Sequence, residues 1–469
     1  MKKILMSLVL IGIILFAWAA GAEEGAQPER ITSGEYTYVL NADGTATLVD
    51  FHPVEYPFTV VDGERRFALP ETIDGIVVTG LGGESFSSRF FYEQYRTEEE
   101  MEKGYIVLKL PDSLSTISAL SSVWIDDVHI SPNHPTFSVE DGALIRESTH
   151  SLIRYSKTRE TAVYIVPDRI TNIGDDAFIS NTNLSAIVIP EGVVNIGKRA
   201  FSHCTSLVSV AIPQGVTQIR DGLFWGCTNL VEIVIPNTVT DIEPRAFAHC
   251  ESLRSIELPN GIASIGDATF VSCKSLASIA IPEGVTRIGQ MAFINCMRLA
   301  DVVFPEGLIE IGIDAFSYCG RLTSIVIPNS VHTIGMRAFD TCLSLRKVDI
   351  LGSIETIADS TFAGCTSLTD IVLPDSVTVI GMSAFYYCHN LANITVLPNI
   401  TEIGNNAFQY CEKITNFVLP DSIQKIEKNP FRGCLAITLT VSPNSYGEAF
   451  AMENSISYTY PDSNDWLTN

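Results

Sequence analysis

The sequence predicts an α/β repeat solenoid: a stack of 23-residue coils with short parallel strands and short helical turns, capped at both ends. Three observations predict it. A phrase seen clearly in Ile189–Leu207, IPEGVVNIGKRAFSHCTSL, recurs every 23 residues, and its phenylalanine stands at Phe178, Phe201, Phe224 and onward to Phe431, twelve copies with no insertion or deletion. The isoleucine five positions earlier, Ile173 to Ile426, is isoleucine in all twelve. Within each copy the apolar pattern passes from period two to helical spacing, so every coil has an inside that only neighbouring coils can cover.

Taking one copy in order, Ile187 and Ile189 face one way around Val188 and make a short strand. Pro190 has no N–H for a ladder and ends it. After Val193 and Ile196, the run Ala200, Phe201, Cys204, Leu207 falls on one stripe of a short helix or helical turn. With stacked strands ~4.8 Å apart, twelve coils predict a slab roughly 55–60 Å long. Glycine follows the isoleucine in eight copies, but Arg220, Glu243, Ala358 and Glu427 replace it elsewhere. Residues of those types rarely accept a positive φ, so the glycine is expected to serve a close approach of backbones. Leu351 and Leu397 replace the strand-ending proline, which predicts local irregularity without a break.

All eleven cysteines, Cys204 to Cys434, occupy one position of the coil, and Asn181 takes it in the first copy. Equivalent side chains of adjacent coils point in parallel, so a buried ladder of free thiols is expected in preference to disulfides. A metal site is not expected, because ligands must converge on a point and these form a line. No cofactor is implied.

Outside the array, Lys2 and Lys3 precede an apolar run from Ile4 to Ala20, and Ala20-Gly21-Ala22 fits a cleavage site before acidic sequence. Residues 1–22 are therefore read as a signal peptide, an uncleaved anchor being the alternative. Residues 23–164 are read as an N-terminal cap: a hairpin in Tyr36–Phe51 around Asn41-Ala42-Asp43-Gly44, a degenerate coil from Leu69, a second coil-like phrase at Leu108–Pro111, and two strands around Asp141-Gly142. Between the two phrases, Phe90, Phe91, Tyr92 and Tyr95 beside Glu98, Glu99, Glu100 and Glu102 break the metre; these aromatics are candidate ligand contacts, or an insert packed on its own domain. Residues 165–442 form the regular array, out of register from Thr438, and 443–469 a C-terminal cap, where Ser445 and Glu448 form a capping box ahead of a helix with Tyr446, Ala449, Phe450 and Glu453 on one face.

The formal charge of −24, from 54 acidic and 30 basic residues, argues against a phosphate-binding surface and excludes nucleic acid as a partner. On the strand face, two stripes flank the core residue. Glu232, Asp301, Lys347 and Asp370 stand among serines in one; Glu257, Val303, Val326, Asp349 and Val372 belong to the other. These nine are the candidate binding residues. The valines suit a protein ligand lying across several coils, or else satisfy strand propensity and pack under neighbours. The charged group Arg346, Lys347, Asp349 and Asp370 is more readily a solvated patch than an acid/base site. His203 and His249 precede Cys204 and Cys250, but adjacent residues face different ways, so an imidazole–thiolate pair is not expected. No catalytic residue is assigned.

The phrase L-x-x-I-x-I-P-x-x-V-x-x-I-G-x-x-A-F-x-x-C, as in Leu276–Cys296, runs through residues 165–437 and resembles the BspA-like leucine-rich-repeat family of bacterial secreted and surface proteins. The NADGTATL hairpin, FSVEDGALI and SYGEAFAMEN segments extend the resemblance over nearly the whole mature chain. The resemblance implies a right-handed leucine-rich-repeat stack and adhesion to host or matrix proteins or to other cells. The expected function is thus an exported, non-enzymatic binding protein, secreted or at the cell surface, whose partners are proteins or glycoproteins outside the cell. It would have no stable membrane insertion after signal cleavage. An envelope or periplasmic scaffold for the cell's own proteins or polysaccharide is the alternative.

Overall fold

The computed structural model describes residues 28–51, 59–61, 64–82, 105–117, 120, 125–395 and 398–461. The segment 1–22, the aromatics Phe90, Phe91, Tyr92 and Tyr95, and Leu397 lie outside the described residues. Two compact units are present, one drawn from Met1–Gly104 and Leu108–Trp124, the other from Tyr105–Val107 and Ile125–Asn469.

In the first unit Tyr36–Leu40 and Ala46–Phe51 pair antiparallel, and the loop closes through Asn41 N–H to Thr45 O at 2.8 Å, with Gly44 at φ 81°. The degenerate coil from Leu69 carries a hairpin of its own. Thr72–Ile73 and Ile76–Leu81 pair antiparallel about Asp74 and Gly75, whose φ values are 52° and 80°. Ile76–Leu81 then pairs in parallel with both Ala46–Phe51 and Thr116–Ile117.

In the second unit, after the strand Asp127–His129, the segment around Asp141-Gly142 holds three strands where the sequence suggests two. Phe137–Glu140 and Ala143–Arg146 pair antiparallel about Asp141-Gly142; Ser151–Tyr155 pairs antiparallel with the latter and parallel with Asn172–Ile173. That strand converts hairpin pairing into solenoid stacking. Two parallel ladders follow. The first runs from Val163–Ile165 through Ala186–Val188 to Ser457–Thr459, and the second is built from residue pairs such as Asn172–Ile173 and Asn195–Ile196. The register step is 23 residues until Asn416 pairs with Thr438, a step of 22, at the predicted slip.

Proline chemistry sets the strand ends. Where Leu351 replaces proline, its N–H donates to Ile327 O at 2.9 Å and Lys347–Ile350 is one residue longer than most strands of its ladder. The glycine after the isoleucine answers to proximity, although Glu243 and Glu427 stand at the same position and still donate to Ile219 O at 2.8 Å and Ile403 O at 2.9 Å. A Cβ on Gly197 would lie 2.4 Å from Asp175 N, and one on Gly312 would lie 2.7 Å from Gly289 C, with no positive φ at either. That approach lets the glycine N–H donate to the isoleucine carbonyl one coil back, as Gly312 does to Ile288 O at 2.8 Å. Among the described residues the bond is not made at Arg220, at Gly266 above Glu243-Pro244, or at Ala358, and the second ladder parts into separate sheets at those three joints.

The segment expected to be helical is a chain of turns. The residues two before and two after each phenylalanine are left-handed in all twelve copies, for example Arg199 at φ 53° and His203 at φ 57°, and only Gly222, Gly226, Gly364 and Gly433 among them are glycine. A left-handed residue in each half-turn prevents an α-helix from propagating. The N–H groups instead alternate in direction. Arg199, Phe201 and His203 donate to the next coil at Asp221, Leu223 and Trp225, while Ala200, Ser202 and Cys204 donate three residues back within their own coil. Bidentate pairs between coils reinforce several of these left-handed sites: Arg199 on Asp176 at 2.9 and 2.8 Å, and Arg337 on Asp314 at 2.8 and 2.7 Å.

The core is a column. From Phe178 to Phe431 successive rings lie between 5.0 Å and 5.8 Å apart and nearly parallel, and Tyr155 extends the column by one. Each buried ring contributes about 1.5–3 kcal/mol by burial and about 0.5–1.5 kcal/mol through stacking. Beside it runs the thiol ladder. Every cysteine Sγ–H donates to the carbonyl of the phenylalanine 26 residues earlier, from Cys204 on Phe178 O at 3.1 Å to Cys434 on Phe408 O at 3.2 Å. In the first copy Asn181 Nδ2 takes the same bond to Tyr155 O at 3.5 Å. All eleven are free thiols.

The end of the array is covered by a helix, Tyr446–Glu453, whose N-cap Ser445 Oγ accepts from Glu448 N–H at 3.2 Å. Glu448 reaches back one residue beyond the cap, to Asn444 N–H at 2.6 Å. The face it buries is Gly447, Phe450 and Ala451; Tyr446 and Ala449, predicted to share a face with Phe450, are exposed, because Gly447 must pass within contact of Leu419 and Val441, although the Tyr446 hydroxyl still accepts from Ile426 N–H at 3.2 Å.

Candidate macromolecule-binding face

The first ladder places side chains alternately inward and outward, as Ser209–Ala211 shows with only Val210 buried. The outward residues form two rows along the stack. One holds Glu232, Asp301, Lys347 and Asp370, all exposed; the other holds Glu257, Val303, Val326, Asp349 and Val372. Val303 is 70% exposed, Val326 52% and Val372 61%, which decides against their packing under neighbouring side chains. Val188, Val234 and Val418 continue the row at about half exposure or more.

The charged group does not converge on a point. Lys347 Nζ lies 2.7 Å from Asp349 Oδ2 within one strand, while Asp370 Oδ1 accepts from Asn393 Nδ2 at 2.6 Å on the next. The hydrogen bond from Asn393 holds the Asp370 carboxyl below its ordinary range, so it stands ionised and is a poor proton donor near neutrality. The histidines are equally separate from the thiols. The His203 ring packs 5.2 Å from Trp225, with its pKa lowered by burial, whereas Cys204 bonds Phe178 O and burial raises its thiol pKa to about 12. Among the described residues no group of three or more His, Cys, Asp or Glu side chains is placed to hold a metal ion.

Two features of this face escape a reading of the strands alone. The residue after the strand-ending proline forms a third exposed row, with Asp168, Glu191, Glu283, Glu306, Asp375 and Asp421 and no basic residue. Its sequence signal is the position itself, proline plus one. The other is a gap. Ser255–Glu257 obeys the metre yet is not a strand, and Glu232–Val234 and Ser278–Ala280 belong to separate sheets on either side. A groove opens there, lined by Ile235, Asn237, Glu257, Leu258, Asn260 and Glu283 among others.

A 23-residue coil, two parallel ladders, a column of phenylalanines and an open strand face define a leucine-rich-repeat solenoid. The chain matches the BspA type leucine rich repeat region over residues 155–253, 217–346 and 310–438, more than half its length, and it belongs to that family. Among solved structures it is similar to a leucine-rich repeat protein from Bacteroides ovatus, at 24% identity and TM-score 0.54 over 92% of this chain and 99% of that one. It is also similar to a leucine rich cell surface protein from Faecalibacterium prausnitzii, at 25% identity and TM-score 0.44 over 92% and 98%. A search of curated proteins gives no match. Among the described residues no helix is long and apolar enough to cross a membrane.

Proposed function

We propose that the protein is an exported, non-enzymatic macromolecule-binding protein, an adhesin or surface interaction protein, that engages host or matrix proteins, glycoproteins or other cells through the outer side of its first ladder. The exposed valine row carries this reading. Recurrent exposed valines on an open sheet, interrupted by Glu257 and Asp349 and bordered by polar rows, have the composition of an interface whose apolar centre is closed off by a wet rim. The family supports binding over catalysis, and the signal-like residues 1–22 support export.

The test is a binding panel. The processed chain, residues 23–469, is passed over immobilised matrix glycoproteins, plasma proteins and cell-wall polysaccharide at physiological salt, beside a variant carrying Val303→Asp, Val326→Asp and Val372→Asp. A saturable protein hit lost in the variant, with its circular dichroism unchanged, supports the reading. Binding that the variant retains removes the valine row from it. Capture of polysaccharide alone replaces the adhesin with an envelope scaffold.

A further inference from the structure

Several basic residues of the array pair with carboxylates of neighbouring coils: Arg199 with Asp176, Arg245 with Asp221, Lys274 with Glu251, Arg337 with Asp314, Lys425 with Glu402. Most carboxylates around the valine row are treated differently, Glu191, Asp349 and Asp370 being held by Gln214, Lys347 and Asn393. Glu232, Glu257, Glu283, Asp301, Glu306 and Asp375 are all exposed, and among the described residues none of their side chains has an ion-pair or hydrogen-bond partner. The one lysine of the two strand rows, Lys347, is held by Asp349, and Arg254 and Arg346 stand one row further out. Along the stack the face therefore reads as a row of valines, interrupted by Glu257 and Asp349, with unpaired negative charge on both sides, and Glu257 and Glu283 bring that charge into the groove at the ladder's gap.

We infer that the partner of this face is a cationic amphipathic polypeptide segment, one that presents an apolar stripe flanked by lysine or arginine. This rests on the proposed strand-face binding and adds the chemistry of what binds. An apolar stripe on the valine row removes both from water, and flanking cations reach the two acidic margins. An anionic or neutral apolar partner gains the first contribution and forfeits the second. The unmatched carboxylates then act against it, which makes the acidic margins a filter as well as an attraction.

The experiment uses three synthetic 18-residue peptides on the processed chain: an amphipathic leucine/lysine helix, the same pattern in leucine/glutamate, and a lysine/serine peptide of equal charge. The protein variant carries Glu232→Gln, Glu257→Gln, Glu283→Gln and Asp301→Asn together, all at exposed positions. The leucine/lysine peptide is expected to bind saturably and more tightly than lysine/serine, the leucine/glutamate peptide not at all. The four neutralisations are expected to weaken leucine/lysine binding on the order of 30-fold, through exposed pairs each individually weak. Equal binding of leucine/glutamate, equal binding of lysine/serine, or unchanged affinity in the variant overturns the inference. If a panel protein binds through the valines and ignores the four neutralisations, the cationic partner is wrong and the strand face stands. If the panel and the peptides are all silent, the strand face falls with it.

Discussion

The glycine of the second ladder offers a sharp test, because the cost of a single methyl can be worked from the coordinates. Gly312→Ala places a Cβ 2.7 Å from Gly289 C, 2.8 Å from Gln290 N and 2.8 Å from Gly289 O. All three are backbone atoms of the adjacent coil, so no side chain can swing aside. The coils must separate, and the first casualty is the 2.8 Å bond from Gly312 N–H to Ile288 O. Ala358 displays this outcome natively, its N–H not reaching Ile334 O and the ladder parting there, whereas Glu243 and Glu427 keep their bonds to Ile219 O and Ile403 O at 2.8 and 2.9 Å, so the test decides which response a methyl at 312 draws. Loss of one buried backbone bond costs about 1–3 kcal/mol. A solenoid opens locally, so the appropriate assay is amide hydrogen exchange, in which that cost speeds exchange of 287–289 and 310–312 by about 5- to 150-fold. Gly320→Ala is the control, since a Cβ there meets nothing within 4 Å. Unchanged exchange in the Gly312 variant, or equal acceleration in the control, refutes the requirement for close approach.

Three further outcomes are expected. Burial raises the thiol pKa from 9.0 to about 12 at Cys204 and Cys319 and to about 11 at Cys434, so the unfolded chain loses these protons first; stability holds below about pH 9 and falls as pH rises toward 12, which circular dichroism against pH will follow, and an unaltered fold at pH 12 counts against the ladder. Met291 is left-handed at φ 54°, so Met291→Val should destabilise by about 1–2 kcal/mol in urea while Met291→Asn should not; equal effects would deny that backbone strain matters there. Ser445→Ala removes the cap of Tyr446–Glu453 and should cost about 1 kcal/mol, read as faster exchange confined to that helix.

What could be read in advance follows from which residues have one physical job. Phe201, Ile196 and Cys204 each fill a buried slot that neighbouring coils repeat, so their spacing announces the stack and the thiol ladder together. Pro190 was equally plain, since a missing N–H ends a strand; at Leu351 only local irregularity was expected, and the restored N–H instead bonds Ile327 O and lengthens the strand. The left-handed turns were hidden because Arg199, Arg245, Met291 and Arg337 carry no glycine signal; contacts from the next coil impose their φ, and the helical spacing of Ala200, Phe201 and Cys204 suggested a helix instead. The candidate face was half visible. Alternation placed Val303 and Val372 outward, but exposure depends on what lies above them, which a periodic sequence does not record. The gap at Ser255–Glu257 had no signal, since its residues keep the metre.

The cysteine ladder sets a condition on when this chain folds. Inside the stack each thiol is protonated, wrapped by two coils and bonded to a carbonyl, beyond the reach of oxidants. Unfolded, the same eleven groups are interchangeable, and their possible pairings number on the order of ten thousand. In an oxidising medium, then, order of events decides the fate of the molecule. A chain that stacks first keeps its sulfur indefinitely, whereas one that opens there is trapped by mismatched cross-links and does not return, so its working lifetime is governed by how rarely it opens.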